Sequence, residues 1–527
     1  MSLLSQRLAV LNESANQQLT RVFKGLEKES LRITDEGKLS QKPHPRALGS
    51  AMTHPSITTD YSEALLEFIT QPTESTKKLL DDLDKVQRYT YQSLEGEYLW
   101  GASMPCMLTN DDEIPVGQYG NSNAGRMKSI YRLGLGERYG RSMQTIAGIH
   151  YNFSMSDEFW QYWHPREGEN ESLQDFKSRR YLDLIRNFRR NFWILLYLFG
   201  ASPAVCRSFV KGREHDLQAF GKDEHSLHQP FGTSLRMGDL GYQSSAQDSL
   251  IVCYNNLDTY LQTLCGAITQ SHPGYVDKGV KDSAGEYKQL NDSLLQIENE
   301  FYSTIRPKRT ANSGETALGA LHERGVEYVE VRCIDLNPYE PLGLNEEQVY
   351  FLDVFLLYCL LSESPETDEY NHLRVLENQR RVVKQGRDPE MRLLSAAGEQ
   401  SLSRWGASLL DEMKLVAKIL DESYGTKSYS KAVKAQRKKL KKPELTPSAR
   451  ILADMKTSGD TFFQVAMKQA LAHSEYYAKR PLSDTQWQAM EREAEASLDR
   501  LQELDAESQI DFDEYLRNYY AQYTCCQ

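Results

Sequence analysis

Gly25-Leu26-Glu27-Lys28-Glu29-Ser30-Leu31-Arg32-Ile33 is the stretch on which the fold turns. Read as a strand, it sends alternate side chains to opposite faces, so Glu27 and Glu29 share a face with Phe23, Leu31 and Ile33. Two carboxylates on an otherwise apolar face are costly unless something neutralises them, and a divalent cation is the simplest neutraliser. An edge strand with its acids in water is the competing reading. That reading weakens with each later stretch that repeats the oddity.

Three stretches repeat it. Ala64 to Thr70 is a short apolar run closed by Gln71-Pro72 and reads as a buried strand. Glu67 sits in its middle on the face of Leu65 and Ile69, and Asp60 precedes it. Gln144 to Ser154 alternates Ile149, Tyr151 and Phe153 against Gln144, His150 and Asn152. His150 alone would read as a satisfied core histidine, but its polar company argues for a binding surface. Gly325 to Ile334 is a Val-rich strand with Glu330 and Arg332 on the face of Tyr328.

The remaining chain reads mainly as helices. Residues 1–24 form a lead-in helix, 75–95 an amphipathic one, and Tyr181 to Phe199 a buried one stopped at Gly200. Val349 to Leu361 is a core helix, and Lys431 to Lys442 is a cationic helix with a solvated face. Tyr119 to Tyr139, rich in Gly, Asn, Ser and Arg, reads as an ordered loop with helical parts, and 211–230 as loop. Gly134-Leu135-Gly136-Glu137-Arg138-Tyr139-Gly140 misses the dinucleotide fingerprint by one residue. No repeat or long linker occurs. The expected organisation is a catalytic unit over 1–430 with a helical region, 431–527, packed on it.

The chain has 527 residues and a net charge of −12, which excludes a general nucleic-acid binder. Met1 to Thr20 lacks the apolar core of a leader, and the run Phe192 to Phe199 is too short to span a membrane. A cytoplasmic protein, monomeric and with no membrane or nucleic-acid partner, is expected. The eight cysteines show no C-x-x-C pair and are expected to stay reduced; Cys525 and Cys526 receive no function.

Glu27, Glu29, Asp60, Glu67, Glu330 and His150 make five acids and an imidazole, a set suited to two or three Mg²⁺ ions, or Mn²⁺, around a nucleoside triphosphate. Arg132, Arg236 and Arg332 can hold oxyanions bidentately. There is no Walker motif, kinase motif set, G-x-S-x-G or H-E-x-x-H. The residues point to metal-bound phosphoryl chemistry in a sheet-lined cavity.

Gly25 through Arg32, His54 through Thr70, Tyr131-Arg132 with Met143 through Ser154, Tyr197 through Cys206, Gln296 through Arg309 and Gly325 through Pro338 resemble the proteobacterial glutamate–cysteine ligases. The resemblance is faint in the basic stretch at 431–442. It implies an α+β fold like the catalytic domain of glutamine synthetase: a curved, largely antiparallel sheet forming a funnel-shaped active site, with helices outside. It implies ATP-dependent joining of the glutamate γ-carboxylate to the cysteine amine. By the same resemblance Glu27, Glu29, Asp60, Glu67, His150 and Glu330 bind Mg²⁺, and Arg332 and Arg132 steady the phosphoryl group and glutamate. Tyr131, Leu135, Tyr242 and Tyr302 frame the cysteine pocket, with Gln144, Asn152 and Arg236 as polar contacts. A ligase for another amine would share the metal face and differ in the acceptor pocket. A non-catalytic nucleotide sensor is disfavoured by the complete ligand set.

Overall fold

The computed structural model describes residues 2–105, 107–108, 110–221, 225–241, 245–247, 250–507 and 510–523. The opening stretch lies in β1 (Val22–Ile33), the long middle strand of an antiparallel sheet. β2 (Ile57–Thr59) and β3 (Leu65–Ile69) lie to one side, and the short β4 (Tyr98–Leu99) pairs with the end of β1. On the other side stand β5 (Ile149–Met155), then the strand order closes with β6 (Ile305–Lys308) outermost and β7 (Tyr328–Ile334) between it and β5. The path β2-β3-β1-β5-β7-β6 is antiparallel at every step and ends at two unjoined strands, so the sheet is open rather than a closed barrel.

Register gathers the polar residues. Glu27 faces His150 across β1 and β5, and Glu29 faces Glu67 across β1 and β3. Glu330 faces Asn152 on one side and Arg306 on the other. Side chains directly opposite in a ladder share a face, so the gathering of these seven side chains follows from period two.

The reverse face carries Leu26, Tyr151, Phe153, Val329 and Val331, all fully buried. Helices Thr76–Ser93, Leu173–Asn191 and Trp193–Phe199 pack on that side of the sheet. In the first of these Leu79, Leu83 and Val86 are buried and Ser75 caps the N-terminus. Two lysines are buried there as well. Lys24 pairs with Asp353 of the core helix Glu346–Leu361, and Tyr151 donates its hydroxyl to the same carboxylate at 2.5 Å. Lys28 Nζ donates to Gln87 Oε1 at 2.9 Å, and burial pushes its pKa down to about 7.

Several elements differ from the sequence expectation. The lead-in helix is Leu3–Asn12, and Val22 already belongs to β1. The buried helix begins at Leu173 and breaks at Phe192 into two. Gln144 lies in a short 3₁₀ turn, Ser142–Thr145, and β5 starts only at Ile149. Asn123–Tyr139 is one helix rather than a loop, capped by Ser122. Its glycines are close-approach positions: a Cβ at Gly134 would lie 2.1 Å from Gln296 Oε1. The 211–230 region contributes Gln218–Ala219 and Ser226–His228 to a small sheet with Ala204–Cys206.

The boundary at 430 falls inside helix Ser428–Lys441, which packs on Glu346–Leu361. Lys431, Lys434, Lys438 and Lys441 of that helix are exposed, as a solvated face requires, but Lys439 reaches inward to the Leu198 carbonyl at 3.1 Å. Cys206 and Cys265 are each engaged in a disulfide, contrary to the expectation of reduced thiols, while Cys253, Cys333 and Cys359 are free. Cys525 and Cys526 lie outside the described residues. Among the described residues no helix is long and apolar enough to cross a membrane.

Candidate active site

The acids form two clusters that share an imidazole. Glu27, His150 and Glu330 bring one ligand atom each within 4.8 Å of one another, and Glu29, Glu67 and His150 do the same. His150 Nδ1 lies 3.0 Å from Glu27 Oε2, and its Nε2 lies 3.6 Å from Glu29 Oε1. Asn152 Nδ2 donates to Glu27 Oε1 at 2.8 Å, and the Gly148 amide donates to Glu29 Oε2 at 2.6 Å. Arg332 and Lys308 flank Glu330 at 3.0 and 3.5 Å.

The charges are unevenly compensated. Burial works to raise the Glu330 pKa, but Lys308, Arg332 and His150 together carry it well below the usual carboxylate range. Burial also opposes ionisation of Glu27, yet the hydrogen bond with His150 leaves its pKa lowered. Glu29 and Glu67 go the other way. Burial raises the Glu29 pKa more than His150 lowers it. Burial and then the charges of Glu27, Asp60 and Glu29 raise Glu67 well above its ordinary value. Two buried acids face to face, each short of positive charge, fit a divalent cation. The Asn152 Oδ1, buried and without a hydrogen-bond partner, is a further oxygen able to meet a cation or a donor on a ligand. The donors are mostly hard oxygens, which suits Mg²⁺ or Mn²⁺.

A cavity adjoins this face. Its walls include Glu29, Asp60, Tyr131, Arg132, Leu135, Gln144, Arg236, Tyr302 and Arg332. Arg132 lies over the Tyr119 ring, 4.4 Å from its centroid, and donates Nε to the Asp60 carbonyl. The same ring carries Lys128 Nζ at 4.4 Å; burial, then the Arg132 charge, pushes that lysine down to about 8. Arg236 Nη2 donates to the Arg332 carbonyl at 2.9 Å, and its Nη1 lies 3.9 Å from Asp335. Room for that guanidinium comes from Gly148, where a Cβ would lie 2.1 Å from Arg236 Nη2. Gln144 Nε2 donates to the Tyr302 hydroxyl at 3.0 Å.

The residues singled out in the sequence therefore fall into two adjoining groups. Glu27, Glu29, Glu67, His150 and Glu330 lie on the sheet face, and Asp60 stands at its edge with its side chain half exposed. Tyr131, Arg132, Leu135, Gln144, Arg236, Tyr302 and Arg332 line the cavity. Asn152 sits with the first group, holding Glu27. Tyr242 lies outside the described residues. Sequence reading did not single out Tyr61, Asn299, Glu300 or Arg306 of the cavity wall, nor Lys308 beside Glu330. Tyr61 presents a buried hydroxyl without a hydrogen-bond partner. The basic run Arg306-Pro307-Lys308-Arg309 was the one available clue, since period two places Arg306 and Lys308 on the same face.

Comparison with known proteins gives the family. The family model for glutamate–cysteine ligase matches residues 8–382. The glutamate–cysteine ligase of Saccharophagus degradans is 52% identical over 510 residues, covering 96% of each chain. That of Alcanivorax borkumensis is 50% identical over 525 residues, covering 99% of this chain and 100% of its own. The crystal structure of the Francisella tularensis glutamate–cysteine ligase in complex with AMP superimposes with a TM-score of 0.90 at 35% identity, over 96% of this chain and 99% of that one. A bifunctional glutathione synthetase from Pasteurella multocida superimposes with a TM-score of 0.70 at 25% identity, over 91% of this chain and 55% of that one. The chain belongs to the glutamate–cysteine ligase family.

Proposed function

We propose that this protein joins the γ-carboxylate of L-glutamate to the amine of L-cysteine at the expense of ATP, through γ-glutamyl phosphate. The products are γ-glutamylcysteine, ADP and phosphate, and the reaction is the first step of glutathione synthesis. The observation that carries the reading is the pairing of an acid-lined sheet face with an Arg- and Tyr-lined cavity, in a chain half identical to named ligases. The sheet serves as the wall of a funnel, in the manner of glutamine synthetase, with helices outside.

In this reading Glu27, Glu29, Asp60, Glu67, His150 and Glu330 hold two or three Mg²⁺ ions. Bound Mg²⁺ offsets the negative charge between the glutamate carboxylate and the ATP phosphates. Arg332, tethered to Glu330, sits beside the transferring phosphoryl group. Arg132 holds glutamate, and Arg236, fixed by the Arg332 carbonyl, is a polar contact of the cysteine pocket. Tyr131, Leu135, Tyr242 and Tyr302 frame the acceptor side chain, with Gln144 orienting Tyr302. Asn152 keeps Glu27 in place and offers its free oxygen toward the ligands.

The chemistry requires activation because a carboxylate has no adequate leaving group at neutral pH. A γ-carboxylate oxygen of glutamate attacks the γ-phosphorus of ATP and ADP departs. The deprotonated amine of cysteine then attacks the acyl carbon, and phosphate leaves with one former carboxylate oxygen. Keeping water from the cavity protects the acyl phosphate from hydrolysis.

The test is oxygen tracing. With glutamate heavy-labelled in its γ-carboxylate, one labelled oxygen is expected in inorganic phosphate for each dipeptide formed, and ADP rather than AMP accumulates. Unlabelled phosphate beside normal dipeptide yield ends the acyl-phosphate reading. Equal phosphate release with 2-aminobutyrate or ammonia in place of cysteine would transfer the acceptor to another amine, and no turnover at all would leave a sensor.

A further inference from the structure

The cavity has two kinds of wall. The acid face is part of the sheet, and the ladder holds it. The opposite wall consists of helix Asn123–Tyr139, which supplies Tyr131, Arg132 and Leu135, and of the segment 296–302, which supplies Glu300 and Tyr302. No sheet strand runs through either. Both rest instead on the chain between Asp505 and Tyr523, far beyond residue 382, where the family match ends.

The contacts run the length of this stretch. Asp505 Oδ1 accepts the amides of Asn121 and Ser122 at 2.9 and 2.8 Å, just where helix Asn123–Tyr139 starts. A carboxylate at that end also suits the helix dipole. Helix Phe512–Tyr520 buries Phe512 and Leu516 against Met127, Ile130, Leu290 and Ile297. Asp513 accepts from the Tyr287 hydroxyl at 2.6 Å and pairs with Lys281 at 3.0 Å.

Two tyrosine hydroxyls then reach the segment that bears the cavity residues. Tyr520 donates to the Gln296 carbonyl at 3.0 Å. Gln296 donates its Nε2 to the Tyr131 carbonyl at 3.1 Å, and its side chain fills the space left by Gly134. One hydroxyl is therefore a single residue removed from Tyr131. Tyr523 donates to Glu298 Oε2 at 2.6 Å, while Glu298 Oε1 accepts the Ala317 and Leu318 amides at 2.5 and 3.2 Å.

We infer that residues 505–507 and 510–523 form a clasp that positions the amino-acid side of the active site, with Tyr520 and Tyr523 as positioning residues for the acceptor pocket. The inference deepens the ligase reading and rests on it for the identity of the acceptor. Among the described residues the clasp bears on the wall of Tyr131, Arg132 and Tyr302 and not on the sheet face, so it governs binding of the acceptor and, through Arg132, of glutamate, and not of the nucleotide.

The experiment uses the full chain with Tyr520→Phe and Tyr523→Phe combined, which removes two hydroxyls and keeps both rings. KM for cysteine is expected to rise about five- to thirtyfold, the worth of one or two hydrogen bonds in binding. KM for ATP and kcat should stay within about twofold. Amide exchange should quicken over residues 123–139 and 296–302 and stay as in the wild type over β1 and β5. If the double variant does not fold, Asp505→Ala at the other end of the clasp, which removes the acceptor of the Asn121 and Ser122 amides, gives the same readouts. An unchanged KM for cysteine with unchanged exchange overturns the clasp. So does a parallel rise in every KM with faster exchange throughout the sheet, which marks a general structural loss. A wild type that turns over neither cysteine nor another amine refutes the ligase reading instead, and the exchange measurement still decides whether the clasp holds the wall.

Discussion

Glu67→Gln is expected to make the metal-free protein more stable and the enzyme nearly inactive. Glu67 stands opposite Glu29 in the ladder, and the ligand oxygens of the two lie within 4.8 Å of each other and of His150. Two full charges at that separation repel by about 3 kcal/mol at an effective dielectric of about 20. Partial protonation relieves part of this, so about 1–3 kcal/mol is the expected gain on removing one of them. The pH dependence has a definite sign. Burial and neighbouring acids raise the Glu67 pKa, so the folded state binds more protons than the unfolded state above the ordinary carboxylate pKa. Wild-type metal-free stability must then fall as pH rises from that ordinary value through the raised one, and Glu67→Gln should flatten the fall. Added Mg²⁺ should raise the wild-type Tm and raise the variant Tm less, because at a given Mg²⁺ concentration the stabilisation grows with the logarithm of the affinity. Turnover should drop about a hundredfold or more, equivalent to ~2.7 kcal/mol of transition-state stabilisation. Thermal melts with chelator and with saturating Mg²⁺, near neutral and mildly acidic pH, give all of these quantities. A lower metal-free Tm in the variant, or a Mg²⁺-dependent gain equal to the wild type's, would show that the two acids are not a shared cation site.

Glu330→Gln should behave differently from Glu67→Gln although both are acids of the same face. Glu330 is held by Arg332 and Lys308, so its loss leaves two cations facing each other and should lower the metal-free Tm while also cutting turnover about a hundredfold; a raised Tm would contradict the charge assignment. Gly148→Ala should displace Arg236, whose Nη2 would lie 2.1 Å from the new Cβ, and raise KM for cysteine about tenfold or more by loosening a charged hydrogen bond. An unchanged KM for cysteine in that variant would take Arg236 out of the cysteine pocket.

What the sequence disclosed and what it hid divide along the range of the interactions. Acids on an apolar, alternating stretch are a local oddity, so Glu27, Glu29, Glu67 and Glu330 were legible from their own neighbours. Register between strands was not, and it is register that sets Glu29 against Glu67. Lys24 and Lys28 belong to the other face, and nothing near them in the sequence marks their burial, because their partners Asp353 and Gln87 lie 329 and 59 residues away. Helix Asn123–Tyr139 was misread for a related reason. Gly125, Gly134 and Gly136 lower helix propensity and look like loop composition. Gly134 and Gly136 in fact admit distant groups, since a Cβ there would lie 2.1 Å from Gln296 Oε1 and 2.5 Å from the Tyr61 hydroxyl, and Gly125 admits the nearby Tyr119 carbonyl oxygen at 2.3 Å. Tertiary contact therefore overrides propensity in the helix that brings three residues to the cavity. The tail follows the same rule. It was legible only as part of a helical region packed on the catalytic unit, and the atoms that give Tyr520 a role belong to Gln296, 224 residues earlier. Residues that meet a ligand show themselves by being wrong for their local surroundings. Residues that position them look right locally and acquire their role from a partner elsewhere in the chain. Substitutions in the second class should accordingly shift binding of one substrate by modest factors, whereas substitutions in the first should abolish turnover.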